Sequence, residues 1–140
     1  VDEAGAEQLA GGRALSDTTY ACTVLYDPPA DSRVSREEIF GPVVCIYPYE
    51  ELEEAMTRAN DLPWAFQAAV FTRDMATAMK AGHGLDASAV MVNEHTAFRV
   101  DWMPFAGLRQ SGLGTGGIPY TLHDMQVRKL MVMPAGIPTS

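Results

Sequence analysis

The sequence predicts an α/β fold, a layered and mostly parallel sheet with helices on both faces, and three observations carry that expectation. Short apolar runs rich in Val, Ile, Tyr or Phe recur at 20–26, 43–47, 68–72 and 89–93. Two amphipathic stretches lie between them, at 50–60 and from Asp74 to Gly84. Strand, helix, strand, helix and strand thus alternate over 43–93, the order that crossover-connected parallel sheets produce.

Each apolar run is bounded by polar, Gly or Pro positions and reads as a buried strand. In EELEEAMTRAN, Leu52, Ala55, Met56 and Ala59 fall at i, i+3, i+4 and i+7, which puts one apolar stripe on a helix. Acids crowd its N-terminal end, where the helix dipole favours them, and Asn60 to Pro63 stops it. Asp74 is the expected N-cap of the next helix, with Met75, Ala78 and Met79 on one side and Gly82 and Gly84 as the stop. Cys22 and Cys45 sit inside β-branched runs, ACTVLY and VVCIY, and are expected to be buried, reduced and unreactive.

After Asn93 periodicity fades. Residues 94–119 are rich in glycine, with Phe98, Trp102 and Phe105 interleaved, and are expected to form an ordered loop of functional rather than structural purpose. YTLHDM then suggests a short helix, and VRKLMVM a terminal strand that pairs with something outside its own domain. The expected organisation is an α/β portion at 1–93, an irregular glycine-rich loop at 94–119, and a tail with a C-terminal strand at 120–140.

The composition is that of a folded chain: 47% of its 140 residues are hydrophobic and 20% charged. Eighteen acidic against ten basic residues give a net charge of −8, and the basic residues form no stripe, so nucleic acid is not an expected partner. No apolar stretch is as long as a membrane span and no signal segment opens the chain, so the expected location is cytoplasmic and away from membranes. The chain opens at Val1 with VDEAGAEQLAGG, which reads as the end of a helix running into a strand, and a fragment of something longer is expected. His83, His95 and His123 share no ligand spacing with one another or with the cysteines, so no metal is expected.

Six motifs in order say more than any of these taken singly. EEIFGPV at 37–43, RAND at 58–61, AAVFTRD at 68–74, AVMVN at 89–93, PFAGLRQSGLG at 104–114 and the Tyr120–Thr121 pair stand at compatible spacing along nearly the whole chain. Together they resemble the C-terminal third of the aldehyde dehydrogenase superfamily. The resemblance implies NAD or NADP as cofactor, a small aldehyde as substrate, and a homo-oligomer assembled through residues 127–132.

It also implies roles for particular residues. Glu38 resembles the carboxylate that accepts hydrogen bonds from the nicotinamide ribose diol, a task that suits two lone-pair-rich oxygens. Phe40 resembles the aromatic beside the nicotinamide ring, and Glu37 is left as a surface acid. The bland alternative for Glu38 and Phe40 is a helix turn with an exposed acid and a core phenylalanine. Phe105 is similar to the aromatic that lines the substrate tunnel. Two departures from the family motif follow it, Ala106 in place of the first glycine and Arg109 where lysine is common. Ala106 would be uncomfortable if its position needed a positive φ.

Arg99 falls where relatives that oxidise hydrophobic aldehydes tend to carry an aromatic residue. A guanidinium there offers a donor fork to a carboxylate, phosphonate, phosphate or sulfonate, and so implies an anionic aldehyde; an ion pair with Asp101 is the alternative. His95 is placed at the same mouth, against the alternative of a surface histidine. Gly112, Gly114 and Gly117 match a dinucleotide fingerprint by spacing, but an irregular PFAG loop precedes them where a strand is required, and that reading is rejected.

Aldehyde oxidation in the family runs through a thiohemiacetal on a cysteine, with a glutamate and an asparagine amide assisting. All three belong to motifs upstream of the region matched here, and Cys22, Cys45 and Asn93 do not occupy them. No catalytic residue is therefore expected within this chain, and on its own it is expected to be silent. A noncatalytic α/β assembly module and a CoA-linked acylating relative are the competing readings.

Overall fold

The structure, a computed structural model, describes residues 5–136, and the chain divides into two compact units, Val1–Leu62 and Pro63–Ser140. The expected helix end at the start of the chain falls partly on residues 1–4, outside the described residues. The strand that was to follow it is present.

The first unit contains β1 (Glu7–Ala10), β2 (Ala14–Ser16), β3 (Thr19–Tyr20), β4 (Thr23–Tyr26), α1 (Arg33–Arg36), β5 (Val43–Ile46) and α2 (Leu52–Asn60). β4 is central, antiparallel to β1 and parallel to β5, while β2 and β3 form a separate hairpin. The apolar run at 20–26 is therefore two strands, not one. Thr23 breaks it: its hydroxyl, 2% exposed as a residue, donates to the Ala21 carbonyl at 2.9 Å and accepts from the Gly12 N–H at 2.9 Å. A side chain that satisfies the backbone of a turn in this way competes with a continuous strand. Gly11 completes the corner at φ +78, since a Cβ there would lie 2.1 Å from the Cys22 carbonyl oxygen.

That break corrects the expectation for the cysteines. Cys22 lies between β3 and β4 and is exposed, and Cys45 is half-buried. Leu25 and Met56 form the apolar core of this unit, Met56 from the predicted stripe of α2. The carboxylates Glu53 and Glu54 occupy the first turn of that helix and Arg58 its last, as the dipole favours.

The second unit contains β6 (Trp64–Ala65), β7 (Gln67–Val70), α3 (Met75–Gly84), β8 (Ala89–Val92), β9 (Leu108–Arg109) and α4 (Ile118–Asp124). β7 and β8 are parallel, joined by α3 in a strand–helix–strand unit, and β6 pairs antiparallel with β9. The chain is thus α/β, with one parallel pair in each unit and antiparallel pairing around them. Among the described residues no helix is long and apolar enough to cross a membrane.

α3 starts where the sequence places it. The Asp74 carboxylate accepts from the Thr77 N–H at 2.7 Å and from the Thr77 hydroxyl at 2.7 Å. Its buried face differs from the expected one: Ala78 and Ala81 are buried, whereas Met75 is 74% exposed and Met79 53%. α3 packs on β8, and alanines let the two backbones approach where methionines would hold them apart. Gly82 and Gly84 lie within the helix, and Leu85 at φ −88 is its C-cap, so the glycines do not form the stop. At the C-terminal end, α4 opens at Ile118 with Pro119 in its first turn. Residues 127–132 are exposed and form no strand.

Asn93 ties the ends of β7 and β8 together. Its amide oxygen accepts from the Thr72 N–H at 2.9 Å and its amide nitrogen donates to the Thr72 carbonyl at 2.8 Å. The side chain thereby extends the ladder by one rung, from a backbone at φ +56 that asparagine tolerates better than most residues. Asn93→Gly keeps the backbone and loses both bonds, an expected cost of about 1–2 kcal/mol. Asn93→Ala adds the left-handed strain of about 1 kcal/mol on top. Urea denaturation of the three proteins checks the order; equal stability of the glycine variant and the parent would remove the clamp.

Asp74 gives a pH-dependent expectation. Hydrogen bonds, first from the Thr77 hydroxyl and then from its N–H, hold the carboxyl below the ordinary aspartate value. A lowered folded value means the cap stabilises fully above the unfolded value of about 3.9 and loses its effect as pH falls through the lowered one. Asp74→Ala should therefore lower the thermal midpoint at pH 7, and the gap to the parent should narrow below about pH 4. A gap that is constant from pH 7 to pH 3 would contradict an ionised cap.

Candidate functional site

In the first unit the EEIFGPV segment leaves α1 and runs without helix into β5. Its two acids have different fates. Arg33, one helical turn back, grips Glu37 with two nitrogens, Nε to Oε1 at 3.0 Å and Nη2 to Oε2 at 2.9 Å. Those hydrogen bonds, from a charged donor, hold the Glu37 carboxyl below its ordinary value. Glu38 has no partner among the described residues, and it lines a cleft of about 650 Å³ with Tyr20, Thr23, Leu25, Arg33 and Val43. Of the two adjacent carboxylates, Glu37 is thus engaged by Arg33, and Glu38 faces the cleft without a partner among the described residues.

Phe40 is not the core phenylalanine of the bland alternative. It is 92% exposed and sits at φ +50, a left-handed conformation that costs a bulky residue roughly 1–2 kcal/mol. The chain holds it there by pairing on its C-terminal side: the Val43 N–H donates to the Gly41 carbonyl at 2.8 Å and the Thr23 N–H to the Pro42 carbonyl at 2.8 Å. A strained backbone that presents an uncovered aromatic ring gains nothing for packing within this unit. Such outliers cluster where chains meet ligands.

A second cavity of the first unit, about 310 Å³, contains none of the residues to which the resemblance gives a cofactor or substrate role. There the Arg58 guanidinium lies 4.1 Å from the Tyr47 ring centroid, and the Tyr47 and Ser35 hydroxyls are 2.7 Å apart. Burial pushes the Tyr47 phenol up, against the opposing hydrogen bond of Ser35. These contacts join α1, β5's end and α2 and explain themselves as packing.

In the second unit Arg99 and Phe105 are brought together. The Arg99 guanidinium lies 4.1 Å from the centroid of the Phe105 ring, and among the described residues Arg99 forms no ion pair with Asp101. Phe105 in turn meets Phe66 edge-to-face, with centroids 4.9 Å apart and planes at 87°. Phe66 drew no attention in the sequence; its only signal is an aromatic in LPWAFQ directly after the stop of α2. His95 stands apart from this stack as an exposed side chain, its Nε2 3.5 Å from Glu94.

The loop that carries Phe105 is fastened by its backbone. Phe105 and Gly116 exchange hydrogen bonds at 3.1 and 2.8 Å, the Gln110 N–H donates to the Pro63 carbonyl at 3.0 Å, and the Ser111 hydroxyl accepts from the Ala65 N–H at 2.9 Å. Arg109, at φ +53, forms an ion pair with Asp86. Ala106 lies outside the left-handed region, so its departure from the motif causes no strain. Gly107 is the position that demands glycine, because a Cβ there would lie 2.4 Å from the Ser111 carbonyl oxygen. The run from Gly112 to Gly117 lies between β9 and α4, nearer to a strand–turn–helix order than the sequence suggested. β9 is antiparallel, however, and no parallel strand follows α4 among the described residues, so the dinucleotide unit is incomplete. Asn93 commits one lone pair of its amide oxygen and one of its two amide N–H donors to the clamp on Thr72.

Comparison with known proteins converges on one family. The family model described as "Aldehyde dehydrogenase family" matches residues 1–131. A 3-sulfolactaldehyde dehydrogenase of Priestia aryabhattai is 36% identical over 133 residues, which cover 95% of this chain and 28% of that protein. Among solved structures, aldehyde dehydrogenase 21 of Physcomitrella patens in complex with its product succinate superposes with a TM-score of 0.84 at 34% identity, over 89% of this chain and 26% of that one. Glyceraldehyde-3-phosphate dehydrogenase GapN of Methanocaldococcus jannaschii, complexed with NADP, does so with a TM-score of 0.80 at 33% identity, over 89% and 26%. The chain therefore spans only about a quarter of the length of these relatives. With the six ordered motifs and the match over residues 1–131, the chain belongs to the aldehyde dehydrogenase family.

Proposed function

We propose that this chain supplies one wall of the nicotinamide site and the substrate-access loop of an NAD(P)-dependent aldehyde dehydrogenase whose substrate is a small anionic aldehyde. The observation that carries the reading is the Arg99 guanidinium held over the Phe105 ring, without an ion pair to Asp101. An arginine that is positioned but not neutralised is suited to an anionic group brought by a ligand. Relatives named for 3-sulfolactaldehyde and for glyceraldehyde-3-phosphate act on aldehydes that carry a sulfonate or a phosphate, which supports that substrate class.

Glu38 and Phe40 fit the cofactor's nicotinamide half. The unengaged Glu38 carboxylate would accept the two hydroxyls of the ribose, and the exposed Phe40 ring would lie beside the nicotinamide. A nicotinamide cofactor held by these two residues would supply the hydride acceptor for the aldehyde carbon. Arg99 orients the substrate by its anionic end and Phe105 shapes the apolar wall between that end and the reacting carbon; His95, exposed beside Glu94 and outside this stack, is assigned to the mouth by the resemblance alone. Neither Cys22 nor Cys45 is assigned as nucleophile, which the reading places upstream of this region. Residues 127–132, which expose Val127, Leu130, Met131 and Val132, are proposed to add as a strand to a sheet shared between subunits.

The test is reduction of NAD or NADP, followed at 340 nm, by the full-length enzyme that contains this chain, with phosphorylated, sulfonated and neutral aldehydes of similar size. A preference for the anionic aldehydes is expected. Arg99→Phe should raise their KM by about one to two orders of magnitude, the loss of roughly 1.5–3 kcal/mol of charge-assisted hydrogen bonding. An unchanged KM sinks the anionic-substrate reading, and a requirement for CoA would move the assignment to an acylating relative. Glu38→Gln should raise the KM for the cofactor about tenfold with a smaller effect on kcat, because an amide keeps only one acceptor for the diol. Unaltered cofactor KM in that variant would return Glu38 to the surface.

A further inference from the structure

The stack in the second unit has a third member whose role the substrate reading does not assign. Phe66 lies between β6 and β7, and its carbonyl accepts both the Ser88 N–H at 2.8 Å and the Ser88 hydroxyl at 2.8 Å. It is thus anchored at the junction of two strands. Its ring meets Phe105 edge-to-face at 87°, and Phe105 carries Arg99 on its face at 4.1 Å. Three side chains form a chain of contact from the strands to a loop guanidinium.

The backbone bonds between Phe105 and Gly116 settle where the Phe105 Cα lies but leave the plane of its ring to its neighbours. An edge-to-face contact selects one plane, since the positive rim of one ring seeks the negative face of the other. That plane is the surface on which the guanidinium rests, and the loop at 93–104 contains neither helix nor strand that would hold Arg99 otherwise. We propose that Phe66 is a specificity-determining positioning residue: by fixing the plane of the Phe105 ring it sets the direction in which Arg99 presents its donors to the anionic group of the substrate. The inference rests on the reading of Arg99 given above. Phe66 itself offers no polar atom to the substrate and acts through its two partners.

Steady-state kinetics of the full-length enzyme with glyceraldehyde-3-phosphate and with glyceraldehyde test it, the readout being the ratio of the two KM values. Phe66→Leu removes the aromatic rim and should shift that ratio three- to tenfold against the phosphorylated aldehyde, the size expected of one aromatic pair. Phe66→Tyr, which keeps the ring, should restore the ratio to within twofold. In an Arg99→Phe background Phe66→Leu should leave the ratio where Arg99→Phe alone put it, because its effect passes through the guanidinium. Should the leucine variant fail to fold, Phe66→Met asks the same question with a side chain nearer in volume. A ratio that moves in Arg99→Phe but stays fixed in Phe66→Leu or Phe66→Met overturns the positioning role and leaves the substrate reading intact. Equal changes for both aldehydes, or an effect of Phe66→Leu that adds in full to Arg99→Phe, overturn it as well. A ratio indifferent to Arg99→Phe overturns both.

Discussion

What the second unit presents depends on the pairing of β6 with β9. Two residue pairs, Trp64 with Arg109 and Ala65 with Leu108, set the register, and the Ser111 hydroxyl and the Pro63 carbonyl add one bond on either side. The stretch at 93–107 between β8 and β9, without helix or strand, would otherwise lose much conformational entropy to order. Fastened at that short ladder and again at the Phe105–Gly116 bridge, it holds the aromatic ring and the guanidinium upon it in one place. The glycine at 107 follows from the same constraint, because the turn brings its Cα against the Ser111 carbonyl.

The first unit solves a different problem with the same economy of means. Two adjacent acids follow α1, and the helix geometry decides between them: Glu37 is one turn from Arg33 and is captured, while Glu38 points elsewhere and stays available. The exposed ring of Phe40 beside it rests on a strained backbone that the ladder of β4 and β5 holds in place. In both units, then, regular pairing near a motif bears the cost of presenting side chains that do not pack within it. Asn93 and Asp74 are the counterexamples, motif residues whose polar groups are consumed by the fold itself.

The helices at 52–60, 75–84 and 118–124, the strands at 43–46, 67–70 and 89–92, and the family itself were legible in the sequence because each rests on local pattern. Hydrophobic period, an Asp before a helix and six motifs in order need no knowledge of what lies across the sheet. Expectations that needed such knowledge fared differently. The run at 20–26 is broken by a threonine hydroxyl that serves a backbone eleven residues away, and the exposed Cys22 follows from that break. α3 buries its alanines because β8 comes close, a distance that no helical wheel contains.

The same division runs through the candidate site. Sequence alone determined which side chains are candidates for the site, since residue type and motif order suffice to single out Glu38, Phe40, Arg99 and Phe105. Tertiary structure alone decided their partners. Asp101 is two residues from Arg99 in the chain, yet the loop folds so that the guanidinium meets a ring six residues on, and that ring meets Phe66 at the junction of β6 and β7. The reason is physical: charge and aromaticity are properties of a residue, whereas the contact that orients them depends on backbone paths set by ladders far away in sequence.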